Sequence, residues 1–98
     1  MKKFDTEHIL KVMANKGATY SIINERGEFI SGEYKNAGME LKFQLIEQRQ
    51  GYGLFVKVCD KKYIKMFYGG RDEAANELLS IFRLFIGLSG RFVDWRQE

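Results

Sequence analysis

Lysine and aromatic side chains recur at alternate positions in the central part of this sequence. Aromatic rings can stack on nucleic-acid bases and lysines can neutralise phosphates, so the pattern is typical of surfaces that bind single-stranded DNA or RNA. The alternative is that a helix of this chain or a protein partner covers these residues while the ammonium groups reach water. This alternative is preferred, because clusters of exposed aromatic residues are rarely left uncovered. The candidate binding surface comprises Lys42, Phe55, Lys57, Tyr63, Lys65 and Phe67.

Residues that commonly act as nucleophiles, bases or metal ligands are isolated in this sequence. His8 has no partner at a spacing typical of a catalytic dyad or a metal site. Cys59 is the only cysteine, which excludes an intramolecular disulfide and indicates a reducing compartment such as the cytoplasm. No serine lies in a nucleophile motif. We therefore predict a protein that is not an enzyme and that holds no metal or cofactor.

Four further residues are secondary candidates for contact with a partner. Tyr52 lies between two glycines at a predicted hairpin tip, where loops often touch partners; equally, the glycines indicate a flexible turn with positive φ. Arg71 follows two glycines at a predicted helix start, where backbone N–H groups favour an anion, although an ordinary turn and cap is preferred there. Leu84 lies on an apolar stripe of that helix. Trp95 is of a type enriched at binding hot spots, but the preferred interpretation is that it folds back and covers the stripe.

Composition and length predict one small globular domain. The sequence has 98 residues, of which 45% are hydrophobic and 30% charged, close to ordinary globular usage. A chain of this size buries a modest core, so dimerisation would be a natural supplement. The net charge of +3 permits an anionic partner without indicating a dedicated nucleic-acid-binding domain. The longest apolar stretch, residues 78–88, is too short to span a bilayer, and no signal peptide is expected.

A helix is predicted near each end of the sequence. The first is capped by Asp5 and stopped by Gly17, and it has a short apolar stripe. The second is longer and strongly apolar, with Asp72 as its cap and Gly90 beyond its end. Because so few of its positions are polar, we expect this helix to be covered on more than one side. The predicted segments are a helix at about 5–16, a helix at about 72–89 and a tail at 90–98.

Between the helices the apolar residues recur with period two, which predicts strands within residues 18–68. Turns at four places keep one face apolar through every hairpin, and this agreement predicts a five-stranded antiparallel meander. The opposite face then carries the candidate binding surface. The predicted turns are residues 25–27, 37–38, 50–51 and 60–62. The predicted opposed pairs include Ile22 with Ile30, Tyr34 with Leu41, Leu45 with Val56, and Val58 with Ile64.

These features predict a single α+β domain over residues 1–98, with a short N-terminal helix, a five-stranded antiparallel meander and a long C-terminal helix packed across one sheet face. The predicted function is that of a small cytoplasmic, non-catalytic binding module. It acts through protein–protein interaction or self-association, as a regulator, an inhibitor or an assembly factor. The alternative is a nucleic-acid-binding protein that uses the lysine and aromatic face. No membrane and no metal are expected as partners.

Overall fold

A computed structural model describes residues 4–36 and 38–97 of the chain, with side chains as far as Gly87. The five strands form one antiparallel sheet in the order β1-β2-β3-β4-β5. The predicted α+β fold, a meander between a short and a long helix, is confirmed. The elements are α1 (Thr6–Asn15), β1 (Thr19–Ile23), β2 (Phe29–Asn36), β3 (Met39–Gln48), β4 (Gly51–Val58), β5 (Lys61–Phe67) and α2 (Arg71–Gln97).

Helix α1 begins where the sequence predicts it. The carboxylate of Asp5 accepts a hydrogen bond from the backbone N–H of His8 at 2.8 Å, so Asp5 is the N-terminal cap. After the helix, Gly17 has a φ of 108°, a conformation that residues with a side chain rarely adopt. The apolar stripe that α1 buries consists of Ile9, Leu10 and Met13.

Helix α2 begins differently from the prediction. Its first helical hydrogen bond runs from the N–H of Ala74 to the carbonyl of Gly70, at 3.3 Å. Asp72 lies inside the first turn, and its carboxylate accepts hydrogen bonds from the backbone N–H and the hydroxyl of Thr6, at 2.9 and 2.7 Å. The predicted role of Asp72 as the cap of its own helix is therefore wrong. Asp72 instead satisfies the first backbone amide of α1, because the two helix starts lie side by side.

The end of α2 also lies beyond the prediction. The helix continues through Gly90 to Gln97, so the predicted stop near Ser89 and the separate tail are wrong. Glycine in a helix interior costs only about 1 kcal/mol relative to alanine, so a single glycine does not end a helix that is otherwise favourable. Trp95 lies in this last part of the helix, and its side chain is outside the described part of the structure.

The first three hairpins keep the predicted faces. Ile22 lies opposite Ile30 and Tyr34 lies opposite Leu41, as predicted. In the third hairpin the turn is Arg49-Gln50, so Leu45 lies opposite Leu54 rather than Val56. That register differs by two residues, which leaves every side chain of β4 on its predicted face.

The register of the fourth hairpin inverts β5. The turn consists of Cys59 and Asp60, so Val58 lies opposite Lys61 instead of Ile64. A difference of three residues, an odd number, moves each side chain of the strand to the other face. The prediction failed because Cys59 adopts a φ of 55°, a conformation that glycine or asparagine would have signalled.

Both helices pack on the same face of the sheet and enclose the core with it. Phe43 lies fully buried near the middle of β3, and Gly32 on β2 makes room for its ring. Tyr34 meets the rings of Phe82 and Phe85 edge-on, with ring centres 5.2 and 5.9 Å apart. The sheet is therefore anchored to α2 through aromatic contacts.

The opposite face of the sheet is not covered by α1, by α2 or by any other described residue, and we call it the open face. Its membership follows from the strand registers, because side chains alternate between faces along each strand. It includes Thr19, Ser21, Ile23, Phe29, Ser31, Glu33, Lys42, Gln44, Ile46, Phe55, Lys57, Lys62, Ile64 and Met66.

Candidate functional site

The open face carries a groove of about 750 Å³ that crosses all five strands. Three adjacent rows of residues line it, each running from strand to strand through opposed pairs. The two outer rows form the walls, and the row between them directs its side chains toward the helices and forms the floor. The lysine row is Thr19, Glu33, Lys42, Lys57 and Lys62. The mixed row is Ser21, Ser31, Gln44, Phe55 and Ile64, and the floor is Tyr20, Gly32, Phe43, Val56 and Tyr63.

A fourth row follows the mixed row along the strands and is apolar. Three of its residues also line a second hollow, of about 270 Å³, at this side of the sheet. The open face therefore changes from basic to mixed to apolar along the direction of the strands. The apolar row is Ile23, Phe29, Ile46, Gly53 and Met66.

The lysine row brings three like charges together. Lys42 lies opposite Lys57, and Lys57 lies opposite Lys62, on three neighbouring strands. Directly opposed like charges destabilise a sheet by roughly 0.2–1 kcal/mol per pair. Lys57 and Lys62 form no ion pair with any residue in the described ranges, so their charges are free to meet an external anion.

Lys42 is the one member of this trio with a carboxylate partner. Its Nζ lies 3.4 Å from Glu40, which also pairs with Lys35 at 3.5 Å. Desolvation acts to raise the pKa of Glu40, but the charges and hydrogen bonds of Lys42 and Lys35 hold it below its ordinary value. Glu40 thus stays ionised and neutralises one end of the lysine trio, which leaves Lys57 and Lys62 as the more available cations.

Phe55 stands at the centre of the mixed row and is half-buried. Its ring leans over Gly53, since a Cβ at Gly53 would lie 2.8 Å from a carbon of that ring. The ring therefore spans the boundary between the groove and the apolar row. Ile64, opposite Phe55 on β5, is 63% exposed and extends this apolar centre toward the sheet edge.

The six residues of the predicted binding surface divide into two groups. Lys42, Phe55 and Lys57 share the open face, as the sequence predicts. The predicted placement of Tyr63, Lys65 and Phe67 on that face is wrong, because the inverted register of β5 turns them toward the helices. Lys62, Ile64 and Met66 take their places on the open face. Only a two-residue turn at Cys59-Asp60 places them there, and the sequence has no glycine or asparagine at these two positions to signal it.

The three displaced residues make contacts on the helix side of β5. The hydroxyl of Tyr63 donates a hydrogen bond of 2.6 Å to Glu77 on α2, and this bond, with some desolvation, raises the pKa of Tyr63 to about 12. Phe67 is buried, and the Nζ of Lys65 lies 5.2 Å from the centre of its ring. Neither aromatic ring is placed to stack on a ligand bound at the open face.

Two of the secondary candidates take part in one polar cluster. Tyr52 lies within β4 rather than at a hairpin tip, and its hydroxyl donates to Glu28 at 3.3 Å. Burial raises the pKa of Tyr52, and Glu28 and Glu47 add to the effect. Arg71 pairs with the same Glu28 at 3.0 Å, so an internal carboxylate already occupies the guanidinium that was predicted to attract an anion. This cluster links the first hairpin to the start of α2.

The remaining candidates do not converge on the groove. Leu84 projects from α2 and is 65% exposed, on the other side of the molecule from the groove. His8 and Cys59 are exposed and lie in α1 and in the last hairpin turn. Within the described residues, no three His, Cys, Asp or Glu side chains are grouped to hold a metal ion. In the same part of the chain, no helix combines the length and apolarity needed to cross a membrane.

Comparisons of this chain with protein-family models, with characterised proteins and with solved structures find no match.

Proposed function

We propose that this protein is a small non-catalytic binding module that holds a protein partner against the open face of its sheet. The observation that carries the proposal is the one-sided packing of the sheet, which leaves a groove beside a row of apolar residues. Ile23 and Ile64 are 48% and 63% exposed, and Met66 is 37% exposed. Contiguous exposed apolar surface with a polar rim is typical of protein–protein interaction sites.

The size of the open face fits this proposal. Five strands about 4.8 Å apart and about seven residues long present roughly 600 Å². A standard interface buries about 800 Å² per partner, so a complex on this face alone would have modest affinity. A transient role as a regulator, an inhibitor or an assembly factor in the cytoplasm is consistent with such an affinity.

The lining of the groove supports a binding role rather than a catalytic one. It contains serines, lysines, one glutamate and one glutamine, but neither His8 nor Cys59 is part of it. A hydrolase or transferase site would need a nucleophile beside a base. The described groove residues supply no histidine or cysteine for either role. Absence of catalysis is therefore part of the proposal.

Nucleic-acid binding is the second candidate function, and the lysine row favours it. Lys42, Lys57 and Lys62 could neutralise successive phosphates of a single strand, and Phe55 could stack on a base. It ranks second because Tyr63 and Phe67, two of the three predicted stacking rings, point to the other side of the sheet.

Affinity capture with paired variants tests the proposed function. Ile64→Glu alters the open face, and Leu84→Glu places the same charge on the exposed side of α2, so each controls for the other. We expect a partner that the unaltered protein and Leu84→Glu both retain and that Ile64→Glu loses. The purified partner must then reproduce this pattern in a direct binding measurement.

Two results would contradict the proposed function. Loss of the partner with Leu84→Glu alone would move the interface to α2. Fluorescence anisotropy with labelled single-stranded DNA and RNA supplies the other comparison. Binding that weakens steeply with salt and is lost in Lys57→Gln would promote the second candidate.

A further inference from the structure

We infer that the partner docks as an amphipathic α-helix with acidic residues along one flank, lying across the strands between the lysine row and the apolar row. The inference rests on the proposed function and specifies its partner. Three properties of the open face lead to it: its width, its length and the position of its charges.

The width of the polarity gradient matches a helix. Rows on one face are two residues apart along a strand, or about 6.6 Å, so the lysine row and the apolar row are separated by about 13 Å. A helix with its side chains is about 10–12 Å across, so one centred over the mixed row reaches both. A single extended strand is too narrow to contact the two outer rows at once.

The length of the groove sets the length of the helix. The groove crosses five strands, whose outermost axes are about 19 Å apart at the usual spacing. At 1.5 Å per residue this distance accommodates about 13 helical residues, or three to four turns. Phe55 and Ile64, which rise from the mixed row, would enter spaces between side chains of that helix.

The charges determine which helix fits. One flank of the docked helix would face Lys42, Lys57 and Lys62, whose mutual repulsion carboxylates would relieve. The other flank would meet the apolar side chains of Ile23 and Met66. A nucleic-acid strand could use the first wall but would leave the second, apolar wall without a matching group.

A second copy of this chain offers no suitable helix among its described residues. Among the described side chains of α2, the carboxylates lie in its first two turns, where Asp72 and Glu77 already accept hydrogen bonds from other residues of the chain. Around the exposed Leu84, the same helix presents Ser80 and Arg83 to solvent. The exposed side of α1 combines Glu7 with Lys11, so it has no continuous acidic flank. Charge complementarity therefore favours a different protein over self-association.

Synthetic helices test this inference directly. The probe is a labelled 14-residue peptide with a leucine stripe at helical spacing and glutamates along one flank, compared with a peptide in which lysines replace those glutamates. We expect the acidic peptide to bind about tenfold more tightly than the basic one at moderate ionic strength. The double variant Lys57→Glu/Lys62→Glu should reverse this preference, whereas Arg83→Glu, a single charge reversal on α2 away from the groove, should leave it unchanged.

Each outcome separates the inference from the proposed function. If neither peptide binds, or if the preference is the same in both variants, the inference is wrong. Capture of a partner that Ile64→Glu abolishes would still support the proposed function in that case. Preferential binding of a single-stranded oligonucleotide, or a dimer in light scattering that Ile64→Glu dissociates, would overturn the inference in favour of nucleic acid or a second copy.

Discussion

Cys59 illustrates how one residue decides which side chains the open face presents. Its φ of 55° allows a two-residue turn, and that turn places Lys62 and Ile64 in the groove and Tyr63 against α2. A residue other than glycine in this left-handed region is strained by roughly 1–2 kcal/mol. The strain is confined to an exposed turn, where a substitution can relieve it without disturbing the core.

Replacement of Cys59 by glycine should stabilise the protein. Relief of the strain exceeds the extra entropy of the unfolded glycine variant, so we expect a gain of about 0.5–1 kcal/mol in the free energy of unfolding. Urea titration measures the change. Cys59→Ala is the matched control and should be nearly neutral, since alanine keeps the strained conformation. Equal stabilities of the glycine and alanine variants would show that strain at this position is unimportant.

Tyr63 should make stability depend on pH at the alkaline end. Its pKa rises from 10.0 to about 12 on folding, so the folded state holds the phenolic proton more tightly than the unfolded state. The associated stabilisation is complete below pH 10 and is lost as pH rises toward about 12. Tyr63→Phe should remove this slope, and the difference in tyrosinate absorbance between the two proteins gives the pKa directly. A midpoint near 10.0 would contradict the hydrogen bond to Glu77.

At the scale of elements, the two helices are joined at their starting turns. Asp72 in α2 accepts two hydrogen bonds from Thr6 in α1, and Asn76 in the next turn donates to the carbonyl of Phe4 at 2.8 Å. The hydrogen bonds from Thr6 and the charge of Arg71 lower the pKa of Asp72 despite some desolvation. These contacts fix α1, which has only ten residues and would be marginal alone.

Loss of the Asp72 carboxylate should destabilise the protein. Asp72→Ala leaves the N–H and hydroxyl of the buried Thr6 without an acceptor, so we expect a loss of about 1–2 kcal/mol. The neighbouring Glu73→Gln, in the same turn, should change stability little. A double-mutant cycle with Thr6→Val then isolates the coupling, and additive effects would show that the two residues do not interact.

The pH dependence of this contact has the opposite sign to that of Tyr63. Because folding lowers the pKa of Asp72 from 3.8, its stabilisation is present above that pH and is lost as pH falls through the lower, folded value. Acid unfolding of Asp72→Asn should therefore be less steep in this range. Parallel acid-unfolding curves for the variant and the unaltered protein would contradict the lowered pKa.

The whole molecule is a sheet with helices on one side. On the uncovered side, the residues proposed to bind a partner lower the stability of the isolated chain. Its shortest dimension is 20 Å, which two layers fill at the usual spacing of about 10 Å per layer. The uncovered lysine row is unfavourable in the isolated chain, and an acidic partner would make it favourable.

Reversal of one charge in the lysine row should stabilise the isolated protein while weakening binding of the acidic helix. Lys57 lies between two other lysines, so Lys57→Glu replaces two repulsive pairs with attractive ones. We expect about 0.5–1 kcal/mol more stability at low ionic strength, shrinking as salt is added. Arg83→Glu on α2 is the control of equal charge. A Lys57→Glu variant that is less stable at every salt concentration would contradict the predicted repulsion.

The sequence by itself determined the order of the elements and most of the sheet. Period-two patterning defined the strands, and Gly27 and Gly38, with φ of 105° and 79°, lie in turns that the sequence signals through glycine. The face carrying Lys42, Phe55 and Lys57 followed from the same pattern. Such features depend on residues close together in the chain, and they can be predicted without knowledge of tertiary contacts.

Tertiary structure decided the rest of the candidate site. The register of β5 depends on a cysteine held in a conformation that its residue type disfavours, and only pairing with β4 can impose that. Asp72 accepts a hydrogen bond from Thr6, 66 positions away, instead of capping its own helix. The three lysines of the lysine row become neighbours only because β3, β4 and β5 pair with one another. Each of these features depends on contacts between segments that are distant in the sequence. The energies of such contacts cannot be estimated from the conformational preferences of neighbouring residues.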